Sequence, residues 1–139
     1  MNLDRAIWIA LEAHSGQIDK RGDPYIFHPL RVMLSMKTTE LQIIAVLHDV
    51  VEDSHRTLQG LRDEGFSWDI VDAIDELTHR GEDYADFILR AKANPLARIV
   101  KIADISDNLL PWRNQNPTEK DMARIAKYIE ALKVLTEKP

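Results

Sequence analysis

Residues 41–53 read Leu-Gln-Ile-Ile-Ala-Val-Leu-His-Asp-Val-Val-Glu-Asp. The stretch is apolar enough for a buried helix, yet it carries His48, Asp49, Glu52 and Asp53 within about one and a half helical turns. One turn separates His48 from Glu52, and another separates Asp49 from Asp53. Burying such groups costs free energy unless each finds a partner. Three carboxylates this close repel one another, and a divalent cation would neutralise them. A single His beside a single Asp is more often a satisfied core pair than a ligand pair. A metal reading therefore needs support from other segments.

Two further segments supply it. Asp104 lies inside Ile99-Val100-Lys101-Ile102-Ala103, and His28 follows Tyr25-Ile26-Phe27 and precedes Pro29-Leu30. The chain has no Cys, so any metal must be held by nitrogen and oxygen. Two imidazoles and two carboxylates suit a first-row divalent ion. Imidazole accommodates Mn, Fe, Ni, Cu or Zn, and two carboxylates lean toward Mn or Fe. Four protein ligands on an octahedral ion would leave positions for water and substrate.

The apolar spacing is helical nearly throughout, and no segment alternates convincingly as a strand. Helices are expected over 3–14, from Pro29 to about Met36, and through the His48–Asp53 stretch after a Thr38 or Thr39 cap. Others are expected near 57–64, over 68–79, over about 83–93, from Pro95 to Leu109, and over about 118–136. The fold class expected is all-α, a single domain over 1–139 built as a compact bundle of six to eight helices. A net charge of −5 argues against a nonspecific nucleic-acid coat but leaves room for a small phosphate ligand. The start has no basic stretch leading into an apolar one, and no apolar run is long enough to cross a bilayer. The expectation is a cytoplasmic protein with no membrane partner.

The order His…His-Asp…Asp resembles the signature of HD-domain metal-dependent phosphohydrolases. Finer matches narrow the resemblance. Ala13-His14-Ser15-Gly16-Gln17, Gly22-Asp23-Pro24-Tyr25-Ile26-Phe27-His28-Pro29, His48-Asp49-Val50-Val51-Glu52-Asp53 and Lys101-Ile102-Ala103-Asp104 are similar to the hydrolase domain of RelA/SpoT enzymes. The short length is similar to the stand-alone small alarmone hydrolases. The likeness runs from about residue 4 to 135. It implies an HD-domain helical bundle that binds Mn²⁺ through His28, His48, Asp49 and Asp104. It implies Glu52 and Asp53 as the catalytic pair that activates water and handles protons. It implies substrate contacts from Asn108, Lys20 and, by a looser match, Tyr128. The activity implied is metal-dependent 3′-pyrophosphohydrolysis of ppGpp or pppGpp.

Two departures bear on the substrate. Many alarmone hydrolases carry Arg-Lys before the Gly-x-Pro-Tyr stretch, with the arginine near the base; here Asp19-Lys20-Arg21 stands, and Arg21 is a partial substitute. After the metal Asp those enzymes read roughly Arg-Leu-His-Asn, whereas this chain reads Ile105-Ser106-Asp107-Asn108, and Pro111 ends the helix early. The rival readings are an HD hydrolase of another nucleotide, such as ppApp or the 2′-phosphate of NADPH, and a non-catalytic nucleotide-binding module.

The other polar and aromatic residues take plainer readings. Arg80 and Arg90 are candidate phosphate clamps, with a solvated charge preferred for Arg90. Lys101 and Asp107 flank Asp104 at helical spacing, where a structural salt bridge and a role in catalysis read equally. His14 reads as a helix-end capping or packing residue rather than a ligand, His79 as a helix-end cation that could also face a cleft, and His55 as solvated. Trp8, Trp68 and Trp112 read as core or rim packing.

Overall fold

The computed structural model describes residues 2–138. Among them the chain forms nine α-helices and a 3₁₀ turn at Pro111–Arg113. The helices are α1 (Leu3–Ala13), α2 (Phe27–Leu34), α3 (Thr39–Leu47), α4 (Val50–Asp53), α5 (Leu58–Asp63), α6 (Trp68–Glu76), α7 (Tyr84–Ala93), α8 (Pro95–Asn108) and α9 (Glu119–Thr136). The all-helical class is the one expected. No described helix is long and apolar enough to cross a membrane.

Side-chain caps set most helix starts. Thr38 accepts the Leu41 N–H at 3.2 Å and Asn94 accepts those of Leu96 and Ala97 at 3.1 and 3.0 Å. Thr118 and Asp121 form a reciprocal capping box at α9. Each satisfies donors that the first turn leaves without partners.

Helix α3 is the central post. Ile43, Ile44, Ala45, Val46 and Leu47 are all fully buried, so it has no solvent face. Helices α1, α2, α6 and α8 surround it, contributing Ile9, Val32, Ile74 and Val100 among others to one core. A second, smaller cluster joins α7, α8 and α9 through Ile88, Ile105, Ala131 and Leu135.

Three boundaries differ from the sequence expectation, each for a local reason. The helix expected to run through His48–Asp53 is broken: α3 stops at Leu47 and α4 restarts at Val50. The His48 ring donates from Nδ1 to the Ala45 carbonyl at 2.5 Å, and His48 N reaches that same carbonyl at 3.4 Å. That oxygen is the one the Asp49 N–H would use to continue the helix. Pro29 is the third residue of α2 rather than the first; it is tolerated there because the early N–H groups of a helix are unpaired anyway. Helix α6 ends at Glu76, leaving Thr78 and His79 in the following turn.

The loop between α1 and α2 is tightly closed. Asp19 N bonds the Asp23 carbonyl at 2.8 Å, Tyr25 N bonds the Gln17 carbonyl at 2.9 Å, and Ile18 pairs with Pro24 in an isolated antiparallel bridge. Gly22 turns the chain at φ +86°, where a side chain would be strained.

Candidate metal centre and its cleft

Helices α2 and α8 and the α3–α4 break converge on one buried polar cluster. His28 comes from α2, His48 from the end of α3, and Asp104 from the middle of α8. One ligand atom from each lies within 4.8 Å of the other two. His28 Nε2 is 2.8 Å from Asp104 Oδ1, and His48 Nε2 is 3.4 Å from the same oxygen. Asp49 stands beside them, with Oδ2 3.0 Å from His48 Nε2. The Tyr25 phenol donates to that Asp49 oxygen.

The donor chemistry fits a divalent cation. With Nδ1–H committed to the Ala45 carbonyl, the other nitrogen of a neutral His48 presents a lone pair. That Nε2 is buried without an aligned hydrogen bond, although two carboxylates face it. His28 repeats the arrangement. Its Nδ1–H donates to Asp107 Oδ2 at 2.6 Å, leaving Nε2 toward Asp104. A carboxylate behind a ligating imidazole fixes its tautomer and raises its basicity. Lone pairs and carboxylate oxygens turned toward one point need a proton or a metal ion between them.

Without a metal, the charges show the same demand. Burial opposes protonation of His48, but Asp49 and Asp104 outweigh it and push its pKa well above the ordinary imidazole value. Burial likewise opposes the Asp104 anion, and Lys101 and His48 hold its pKa well below the usual carboxylate range. Lys101 sits 2.8 Å from Asp104 Oδ2. Asp107 is held at about 2 against the cost of its burial, by His28 and Arg31.

Glu52 and Asp53 project from α4 into a cleft of about 600 Å³ that reaches His28, Asp49 and Asp104. Glu52 Oε1 accepts the His79 N–H at 2.7 Å. Gln17 ties down the end of α4 by donating to the Asp53 carbonyl at 2.9 Å. Burial, then Asp49 and Glu52, raise the Asp53 carboxyl to about 6. Lys101, Lys127, Tyr84 and Tyr128 line the same cleft, adding cationic and phenolic groups to its acidic ones.

A side pocket of about 290 Å³ adjoins the cleft and shares Tyr25, Asn108 and Tyr128 with it. Lys20, Arg21, Asn108 and Tyr128 all line it, so the four candidate substrate contacts come together. Asn108 directs its amide nitrogen at Asp104 Oδ1, 3.3 Å away. Lys20 pairs with Asp121 at 3.0 Å, and Arg21 donates to the Trp112 carbonyl.

Several residues were not singled out from sequence. Tyr25 lies within the Gly-x-Pro-Tyr match, which is the signal that finds it. Arg113 had none: the 3₁₀ turn swings it back so that Nη1 meets Asp107 Oδ2 at 2.8 Å and Asn108 Oδ1 at 3.1 Å. Arg90 is not a solvated charge. It is largely buried and donates to Glu82 and to the carbonyls of Asp75 and Thr78. Arg80 pairs with Asp75 and is not among the cleft residues. His14 is buried at the end of α1 with Nδ1 2.8 Å from Gln17 Oε1. His55 is exposed. The three tryptophans lie at the surface, each against an arginine.

No protein-family model matches the chain. Similar proteins are found by sequence. A probable GTP pyrophosphokinase of Mycobacterium leprae is 30% identical over 98% of this chain and 19% of its own length. A guanosine-3′,5′-bis(diphosphate) 3′-pyrophosphohydrolase of Aquifex aeolicus is 32% identical over 88% of this chain and 19% of its own length. The chain thus spans about a fifth of the curated relatives it matches, and those relatives are RelA/SpoT-type proteins. Among solved structures, a metazoan ortholog of SpoT that hydrolyses ppGpp superposes with a TM-score of 0.79. It is 21% identical, over 96% of this chain and 84% of that one, and so shares its fold.

Proposed function

We propose that this relative of the RelA/SpoT proteins is a Mn²⁺-dependent hydrolase that removes the 3′-diphosphate of guanosine tetra- or pentaphosphate. The products would be pyrophosphate and GDP or GTP, and the site of action the cytoplasm. The observation that carries the reading is the buried grouping of His28, His48 and Asp104, with Asp49 beside His48, at the floor of a cleft that His28, Asp49 and Asp104 line together with Glu52 and Asp53.

His28, His48, Asp49 and Asp104 would hold the metal; Mn²⁺ is favoured by the resemblance, and another first-row divalent ion meets the same donor set. Such an ion lowers the pKa of bound water and offsets phosphoryl charge. The chain's own residues do the rest. Asp107 keeps His28 in one tautomer. Glu52, fixed at Oε1 by the His79 N–H, keeps Oε2 to orient the attacking water. Asp53, poised near 6, takes a proton from that water and returns one to the departing 3′ oxygen. The new bond joins water oxygen to phosphorus, and the bond from phosphorus to the 3′ oxygen breaks. Lys127 and Lys101, which line the cleft, would meet the diphosphate, and the nucleoside would extend toward Lys20, Arg21, Asn108 and Tyr128 in the side pocket.

Incubation of the Mn²⁺-loaded protein with ppGpp, followed by product analysis, tests this. Pyrophosphate and GDP are expected, abolished by chelator and reduced at least a hundredfold in Glu52→Gln or Asp53→Asn. A panel with ppApp and NADPH runs alongside. Failure of ppGpp to release pyrophosphate with any divalent ion overturns the reading. Turnover of another panel member alone would move the substrate, and binding without turnover would leave a nucleotide-binding module.

A further inference from the structure

Asp19 stands where the resembling enzymes carry an arginine, and its surroundings give the carboxylate a specific job. Its Oδ1 accepts the N–H groups of Arg21 at 2.9 Å and Asp23 at 3.0 Å, so the loop backbone fixes the plane of the group. Oδ2 receives no backbone N–H. It faces Arg113 Nη2 at 3.6 Å, beyond hydrogen-bond length. The carboxylate is only 14% exposed, and both it and Arg113 line the side pocket. Ile18, Tyr25 and Tyr128 give that pocket flat apolar and aromatic surfaces. Tyr25, Asn108 and Tyr128 also border the metal cleft, so a nucleotide whose phosphates lay in the cleft would have this pocket next to it for its base.

We infer that Asp19 determines base selectivity, its free Oδ2 accepting the adjacent N1–H and N2–H₂ donors of guanine while Arg113 serves the neighbouring O6. Adenine offers one donor, the N6 amine, beside an acceptor, N1. It makes one hydrogen bond fewer with the same pair. The inference rests on the reading that the substrate is a phosphorylated purine nucleoside seated as above.

Asp19→Asn separates this role from loop capping. The amide oxygen can still accept the Arg21 and Asp23 N–H groups, while an NH₂ donor replaces Oδ2. Thermal melting and metal content should match the parent. The kcat/KM for ppGpp is expected to fall about ten- to a hundredfold, and that for ppApp to hold or rise. A folded, active Asp19→Asn protein with an unchanged ppGpp-to-ppApp ratio overturns the inference. If the parent hydrolyses neither compound, the hydrolase reading fails separately, and calorimetric binding of GDP and ADP decides. A GDP preference in the parent that collapses in Asp19→Asn supports the role of Asp19. Equal binding of the two, or binding of neither, refutes it.

Discussion

His48 and Asp53 show how far single residues could be read. His48 was legible because an imidazole in an apolar run has to be accounted for energetically, and the structure leaves its Nε2 without a hydrogen-bond partner. Asp107 was only half legible. Three residues from Asp104, it read equally as an ion-pair partner, and it turns out to bond both His28 and two arginines. Arg113 was not legible, because its position depends on a turn whose direction no local pattern encodes. Asp53 yields a prediction about the metal-free protein. A carboxyl whose folded pKa is raised favours the folded state when protonated. That contribution is complete below its ordinary 3.8 and is lost as pH rises through about 6. Above that range the charged group opposes folding. The shift would amount to about 3 kcal/mol for a fully buried carboxyl, and solvent screening at this exposed one leaves about 1 kcal/mol. In chelator, Asp53→Asn should therefore raise the melting temperature by about 3 °C at pH 7.5 and leave it unchanged at pH 3.5. A rise of equal size at both pH values would contradict this.

At the scale of elements, helix positions followed from apolar spacing and caps, and the errors came where a side chain competes with the backbone. No pattern in Ile43–Val51 signals that His48 would take the Ala45 carbonyl, since the apolar spacing runs straight through the break. Helix α8 matters most to the site because it carries Asp104, Asp107 and Asn108 on a frame started by one residue. Asn94 Oδ1 accepts two N–H groups there, ahead of Pro95. Asn94→Ala should cost about 1 kcal/mol of stability, measured by urea denaturation, whereas Asn94→Asp should restore most of it. A neutral Asn94→Ala would mean that packing alone sets the start of α8.

In the whole molecule, the proposed ligands tie together parts far apart in sequence: residue 28 on α2, residues 48 and 49 at the α3–α4 break, and residue 104 on α8. The all-helical class was readable from periodicity, but this convergence was not. Sequence order says which residues suit a metal, and only packing around α3 brings them within reach of one another. A ligand held by several such segments stabilises the folded state by mass action, about 2.7 kcal/mol at a hundred times its Kd. Saturating Mn²⁺ should raise the melting temperature by roughly 10 °C over the chelated protein. His48→Ala should abolish the increment. Identical melting with and without metal would count against the proposed centre.

The bond from the His48 ring to the Ala45 carbonyl carries one last consequence. The same contact that halts the central helix also decides which nitrogen of the ring keeps its proton. Exchanging the two nitrogens would mean re-forming a helical end inside a closed core. The imidazole is thereby committed to one orientation when the chain folds, and a cation at the proposed centre would meet a donor that has already been chosen.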